Sequence, residues 1–376
     1  MIFPYLLPRI YGNFFIFRHC LSNVMSEAVA LHLRFHPSVE RLEREVTEAG
    51  FLERLREKLS KSYRLVREEK YKRVIRIQAT VLAAIREYLD SHGFIELLPP
   101  IIGPVTDPGI RGAKQVTIDF YGMEYKVMSS AILYKQMMAT ALGKIYFVSP
   151  NIRLEPLETV FTGRHLVEFF QVDVEMARAS YFDAMKVAER LFSYVVARVK
   201  EEHEEDLSKL GRELKDFKPP FKKYSHREAV DLLRKLGYEA SYSTEIPWEG
   251  EKLLSGIHED PFFIYDYPRG SRGFYDREDP ERPGILRDFD MLYPEGFGEA
   301  VSGAEREYEP EKVVARMRET GENPAKYGWY IEMLKEGIEP SAGFGIGVER
   351  LTRFICGLSA VWEARPYPKV AGIYSP

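Results

Sequence analysis

The stretch that most constrains this chain is Leu166–Met176, LVEFFQVDVEM, in which apolar and polar residues alternate. Successive side chains of a strand point to opposite faces. Phe170, Val172, Val174 and Met176 therefore share a core-facing side, and Phe169, Gln171, Asp173 and Glu175 share the other. Upstream, Ile152 and Leu154 alternate with Arg153 and Glu155. Paired as a hairpin across the loop 156–163, the two strands present Arg153, Glu155, Phe169, Gln171 and Asp173 on one surface. A charged strand face alone reads most simply as solvated. Phe169 alters that reading, because an aromatic ring on a polar face suits the stacking of a flat base. Arg164 and His165 add the cationic groups that polyphosphates need.

Similar short strands recur between helices. Val116, Ile118 and Phe120 alternate and turn through Tyr121-Gly122-Met123 into Tyr125 and Val127, which predicts a hairpin. Helices are predicted at 131–142, 181–203, 225–236, 310–320 and 324–336, and strands at 145–148, 151–155, 262–266, 273–276, 286–292 and 298–303. Antiparallel hairpins interleaved with helices argue for an α+β fold rather than a parallel sheet. Residues 38–90 read as charged and helical. Leu42, Val46, Ala49, Leu52, Leu55 and Leu59 form one stripe, with Gly50 as its weak point, and a second helix spans 72–91. Residues 1–24 carry no acidic residue and match neither the rest of the chain nor a signal peptide. Translation is expected to start at Met25, leaving a helical arm over 25–70 and a catalytic domain over 71–376.

With 53 basic against 57 acidic residues, a formal charge of −4 does not suggest a protein that coats nucleic acid. Two cysteines, Cys20 and Cys356, cannot build a disulfide scaffold, and the eight histidines are scattered singly. The chain therefore reads as reduced, cytoplasmic and free of structural metal. No apolar run approaches the roughly 18 residues of a membrane span.

Two further segments carry chemistry. SAGFGIGVERL (341–351) places Gly343, Gly345 and Gly347 where a backbone could approach a ligand, and Arg350 opens the following helix. It is neither a Walker loop nor a dinucleotide fingerprint. In DFDMLYPEGFGEAVSGAERE (288–307), Asp290 and Glu299 could hold a hard divalent cation such as Mg²⁺. Ser302, three residues after Glu299, joins them only if the strand bulges or bends.

Together these segments resemble the class II aminoacyl-tRNA synthetase core of the aspartate/asparagine/lysine group. Pro99-Pro100 resembles the dimer-forming motif 1, NIRLEPLETVFTGRHLVEFFQVDVEM (151–176) motif 2, and GFGIGVERL (343–351) motif 3. The resemblance runs from about Arg73 to Pro376. It implies an antiparallel sheet flanked by helices, a homodimer, and ATP with Mg²⁺. Arg153 would bind the α-phosphate and the substrate carboxylate, and Glu155 would lie near adenine, on which Phe169 stacks. Arg164 and His165 would hold the γ-phosphate from one side and Arg350 from the other. Leu166, Gly345, Gly347, Val348 and Glu349 would complete the nucleotide site, and Glu299 and Ser302 the metal position with Asp290. Lys135, in SAILYKQ (130–136), and Arg306 would clamp the amino-acid side-chain carboxylate. Asp107, Ser130, Gln171, Asp173 and Ser302 would also meet the amino acid.

The chain departs from that pattern at Ile132, where the group has glutamine, and in an Asp290-to-Glu299 spacing one residue longer than usual. No oligonucleotide-binding barrel of roughly a hundred residues precedes the core. A core that activates an amino acid without reading an anticodon is expected to be a free-standing ligase. TDP (106–108), SPNIRLE (149–155) and GFYDRE (273–278) look like the archaeal asparagine synthetase related to asparaginyl-tRNA synthetase. The implied reaction converts L-aspartate and ATP to β-aspartyl-AMP, from which ammonia displaces AMP to give L-asparagine. Asp173 or Asp107 would deprotonate ammonium, and tRNA binding is expected to be unlikely. The alternatives are a ligase that acylates tRNA or another acceptor, and a regulatory paralogue without catalysis.

Overall fold

The structure, a computed structural model, describes residues 33–108 and 112–376. The proposed start at Met25 and the segment 1–24 lie outside the described residues.

The predicted alternation builds the sheet. Strands β1 (Ile95–Leu97), β5 (Lys144–Ile152), β6 (Glu168–Ala177), β7 (Lys222–Ser225), β8 (Phe262–Tyr265), β9 (Asp288–Tyr293), β10 (Gly298–Glu305) and β11 (Ser341–Gly347) form one eight-stranded sheet in the order β1-β5-β6-β11-β10-β9-β8-β7. The pairings are antiparallel except at the two edges, where β1 runs parallel to β5 and β7 to β8. Strands β2 (Ile102–Gly103), β3 (Thr117–Phe120) and β4 (Met123–Val127) form a small separate sheet that contains the predicted hairpin. The fold is α+β, as expected.

Helices cover one face of the large sheet. In α4 (Glu69–Ser91), Val74, Ile77, Val81, Ile85 and Leu89 recur at three- and four-residue spacing and are buried. In α6 (Tyr181–Lys209), a capping box between Ser180 and Asp183 satisfies the free amides of the first turn. These helices pack against Val172, Val174 and Met176 of β6, Phe289 and Met291 of β9, and Phe344 and Ile346 of β11. Each strand thus gives one set of residues to the core and turns the alternate set, such as Gln171, Asp173, Gly343 and Gly345, to the opposite face.

The arm differs from its predicted form. Gly50 adopts φ +77°, which splits the long stripe into α1 (Pro37–Thr47) and α2 (Phe51–Ser60), with a turn of helix, α3 (Ser62–Leu65), after them. Leu42, Val46, Leu55 and Leu59 share a core with Phe161, Leu166, Val361 and Trp362, so the arm packs on the body built around the large sheet. The predicted strands 145–148 and 151–155 are one continuous β5 that ends at Ile152. The segment 273–276 is not a strand, and Asp276 makes only a bridge to Arg306. Helices α5 (Ile132–Leu142), α7 (His226–Lys235), α9 (Pro310–Glu319) and α10 (Gly328–Glu336) fall close to expectation, whereas α8 (Trp248–Gly256) and the edge strands β1 and β7 were not foreseen. Helix α11 (Val348–Cys356) follows β11 directly.

Candidate active site

The exposed face of β6 and β9–β11 floors a cavity of about 860 Å³, within the usual range for a small-molecule site. Pairing of Asn151 with Phe169 and of Ser149 with Gln171 bears out the hairpin, although β5 ends at Ile152 and the connection is longer than the expected loop 156–163. Arg153, Glu155, Phe169, Gln171 and Asp173 all line the cavity. The 3₁₀ turn Leu157–Thr162 and the residues after it bring Arg164, His165 and Leu166 to the same rim.

Glycine sets the depth of the floor. A β-carbon on Gly345 would lie 2.3 Å from Gln171 Nε2, and one on Gly343 would lie 2.1 Å from the Val174 carbonyl oxygen and from Glu175 Oε2. No larger residue lets the β6 side chains lie across β11.

Two charged clusters divide the cavity. At one end Lys135 Nζ stands 3.1 Å from Asp173 Oδ1 and 3.8 Å from Glu175 Oε2. Arg306 Nε lies 3.2 Å from Glu175 Oε1, and its Nη1 lies 3.2 Å from Asp276 Oδ1. Ser341 donates to Glu175 Oε1 at 2.8 Å. Burial works against the Arg306 charge, but Glu175 and Asp276 hold its pKa above the usual arginine value. Burial raises Asp276 despite Arg306, Arg272 and Arg316 nearby. Asp107 and Ser130 border this end. Asp173 Oδ2 is buried with no hydrogen-bond partner, which suits an arriving ammonium group.

At the other end, Glu299 Oε1 is 3.1 Å from Arg350 Nη1, and its Oε2 is 3.9 Å from Arg164 Nη2. Arg350 Nε donates to the Arg164 carbonyl at 3.3 Å, and Arg164 Nη2 donates to Glu251 of α8 at 3.0 Å. Arg164 Nε is buried without a hydrogen-bond partner, a donor ready for an anionic oxygen. Between the two ends, Arg153 donates to the Ser129 carbonyl at 3.1 Å and stacks 5.0 Å above the Phe169 ring.

Two expected site residues lie elsewhere. Val348 is buried in the core among the helices, because the chain turns from β11 into α11 at that point. Asp290 does not line the cavity: Arg272 Nη2 lies 2.5 Å from its Oδ2, and burial outweighs that guanidinium to raise the Asp290 pKa. Glu299 and Ser302 do share a wall, because the β9–β10 register shifts between Glu299 and Val301. Arg272 also donates to Ser302 Oγ at 3.3 Å. Among the described residues no group of three or more His, Cys, Asp or Glu side chains could hold a metal. Of the residues expected at the metal position, Glu299 and Ser302 line the cavity and Asp290 does not, so a Mg²⁺ there would take Glu299 and Ser302 as its protein ligands.

Sequence reasoning also missed lining residues. Glu245 comes from the segment leading into α8, Trp248 and Glu249 from the first turn of α8, and Arg272 and Tyr275 from the irregular stretch after β8. Tyr275 and Asp276 lie within GFYDRE (273–278), and nothing in the spacing around Trp248 marks a site.

Among the described residues no helix is long and apolar enough to cross a membrane, and Cys356 is a buried free thiol. The family described as "tRNA synthetases class II (D, K and N)" matches residues 54–371. The chain is 34% identical over 307 residues to the asparagine–tRNA ligase of Thermococcus gammatolerans, covering 81% of this chain and 70% of that protein. It is also 34% identical over 306 residues to the aspartate–tRNA(Asp/Asn) ligase of Sulfurisphaera tokodaii, with the same coverage. The crystal structure of asparaginyl-tRNA synthetase from Pyrococcus horikoshii complexed with asparaginyl-adenylate superposes with a TM-score of 0.80 at 30% identity, covering 88% of this chain and 75% of that one. These relatives are tRNA ligases, which overturns the expectation that tRNA binding is unlikely and gives the asparagine synthetase reading no support. The chain belongs to the class II tRNA synthetases of the D, K and N group.

Proposed function

We propose that the chain is an ATP-dependent ligase that activates aspartate or asparagine as its acyl adenylate and passes the acyl group to tRNA. The observation that carries this reading is the convergence of Arg153, Arg164, Arg306, Arg350 and Lys135 on one cavity, sorted into two charged ends. The Lys135–Arg306 end suits a short polar side chain. It sets two cations among Asp173, Glu175 and Asp276, so an acid or its amide can be held there. The Arg164–Arg350 end suits the distal phosphates of ATP.

In this reading Asp173 takes the substrate ammonium, and Arg153 spans the α-carboxylate and the α-phosphate. A carboxylate oxygen attacks the α-phosphorus, an acyl–phosphate bond forms, and the bond to the β-phosphate oxygen breaks to release pyrophosphate. Alignment and charge neutralisation carry such a step, with no need for a base. Arg164, His165 and Arg350 orient the departing pyrophosphate. Mg²⁺, held by Glu299 and Ser302, would neutralise phosphate charge when bound. A terminal tRNA hydroxyl then displaces AMP from the acyl carbon. Ammonia as the acceptor, the reading favoured from the sequence, would use Asp107 or Asp173, which line the cavity, but has no counterpart among the relatives named above, which are tRNA ligases.

Pyrophosphate exchange measured with each amino acid, followed by charging of labelled tRNA, tests the proposal. Exchange with aspartate or asparagine and acylated tRNA are expected. No exchange with either amino acid would sink the reading, and asparagine formed from aspartate and ammonium without charged tRNA would replace it.

A further inference from the structure

Residues 33–53 lie outside the stretch matched by the family, yet Val39, Leu42 and Glu43 sit behind Arg164 and Trp248, which line the phosphate end. We propose that this segment is a positioning element of the ATP site, acting through helix α8. The proposal rests on the reading of the Arg164–Arg350 end as a triphosphate pocket.

Helix α8 supplies Trp248 and Glu249 to the cavity and holds Arg164 through Glu251. Nine residues with glycine at 250 and at 256 do not make a stable helix alone. The arm braces it from behind. Arg34 N–H donates to the Gly256 carbonyl at 2.7 Å, and His36 N–H donates to the Glu295 carbonyl at 2.9 Å. The Phe35 ring fills the spaces left by two glycines: a β-carbon on Gly256 or Gly296 would come within 2.4 or 2.5 Å of it. Lys252, beside Glu251, is almost fully buried, pairs with Glu43 of α1 and lies 4.6 Å from the Phe35 ring centroid.

A second contact reaches Arg164 from its other side. Leu42 of α1 sits where a side chain of Gly163 would project, 2.3 Å from such a β-carbon, and Gly163 immediately precedes Arg164. The arm thus backs both the peptide that carries Arg164 and the carboxylate that aims it. Without Glu43, the buried Lys252 ammonium loses the carboxylate it pairs with on α1, and α8 shifts to hydrate it. Glu251 moves with the helix, and Arg164 loses its aim.

Glu43→Gln, Leu42→Ala and the charge exchange Glu43→Lys/Lys252→Glu, made in the full chain, test this. ATP binding by calorimetry and pyrophosphate exchange provide the readouts, with thermal melting as the control for folding. Glu43→Gln is expected to weaken ATP binding and raise KM for ATP on the order of tenfold, the effect of losing one charge-assisted contact. KM for the amino acid should stay within about twofold of wild type, because Lys135 and Arg306 do not touch the arm. Leu42→Ala should act in the same direction, and the charge exchange should recover most of the loss. A folded Glu43→Gln with unchanged ATP binding, or an equal rise in both KM values, overturns the proposal alone. Wild-type protein that binds no ATP overturns the pocket assignment and this proposal with it.

Discussion

Glu299 sits between two guanidinium groups, which makes Arg350 a clean test of the phosphate end. Its side chain is 24% exposed and lines the cavity, so Arg350→Ala should lower pyrophosphate exchange about 10²–10³-fold. The melting temperature should stay within a few degrees of wild type. Undiminished exchange would remove the nucleotide from this position. Glu175 is the opposite case, fully buried and bonded to Arg306 and Ser341. Glu175→Ala leaves the buried Arg306 with Asp276 alone and should destabilise the fold by about 3 kcal/mol, read from denaturant unfolding. The alternation around Asp173 and Glu175 made both residues legible in the sequence, because a strand of period two assigns its own faces. Arg272 was not legible. Its partners Glu245, Asp288 and Asp290 lie on segments whose proximity only the closed sheet creates.

At the scale of elements, β11 and α1 make separate predictions. Gly345→Ala forces Gln171 from its place, a displacement worth about 0.5–1.5 kcal/mol if its rotamer must strain. KM for the amino acid should rise several-fold while KM for ATP changes little, and equal changes in both would count against the division of the cavity. Helix α1 begins at His36, whose Nδ1 accepts from the Ser38 amide at 3.2 Å and therefore must be unprotonated. Burial and the nearby Arg212 push the His36 pKa down to about 4. Its folded pKa lies below the unfolded value near 6.5, so its contribution is present above pH 6.5 and is lost as pH falls towards 4. Melting temperature should fall between pH 7 and pH 5, and less so in His36→Asn, which keeps a capping side chain. An identical fall in the variant would clear His36. The long periodic helices were readable for the same reason that they are stable, a continuous apolar stripe. Helix α8 has two glycines and little period, and depends on the arm for its shape, so its sequence alone gave no signal.

Across the whole molecule, apolar surface gathers near Pro99-Pro100, where Leu98 is 96% and Ile101 62% exposed. Monomeric proteins rarely leave such side chains together in water. The expected homodimer is checked by light scattering, with Leu98→Asp/Ile101→Asp expected to run as a monomer. A double variant that remains dimeric would place the contact elsewhere. The sheet order also sets a schedule for synthesis. Strand β11 lies between β6 and β10, yet it is made after both. Until residues 341–347 leave the ribosome, the growing polypeptide holds two half-sheets with open hydrogen-bonding edges, each able to recruit a stranger. The codons for β11 therefore join the halves and complete the ligand pocket in one event, so a nascent chain stalled short of them is a substrate for chaperones rather than a weak enzyme.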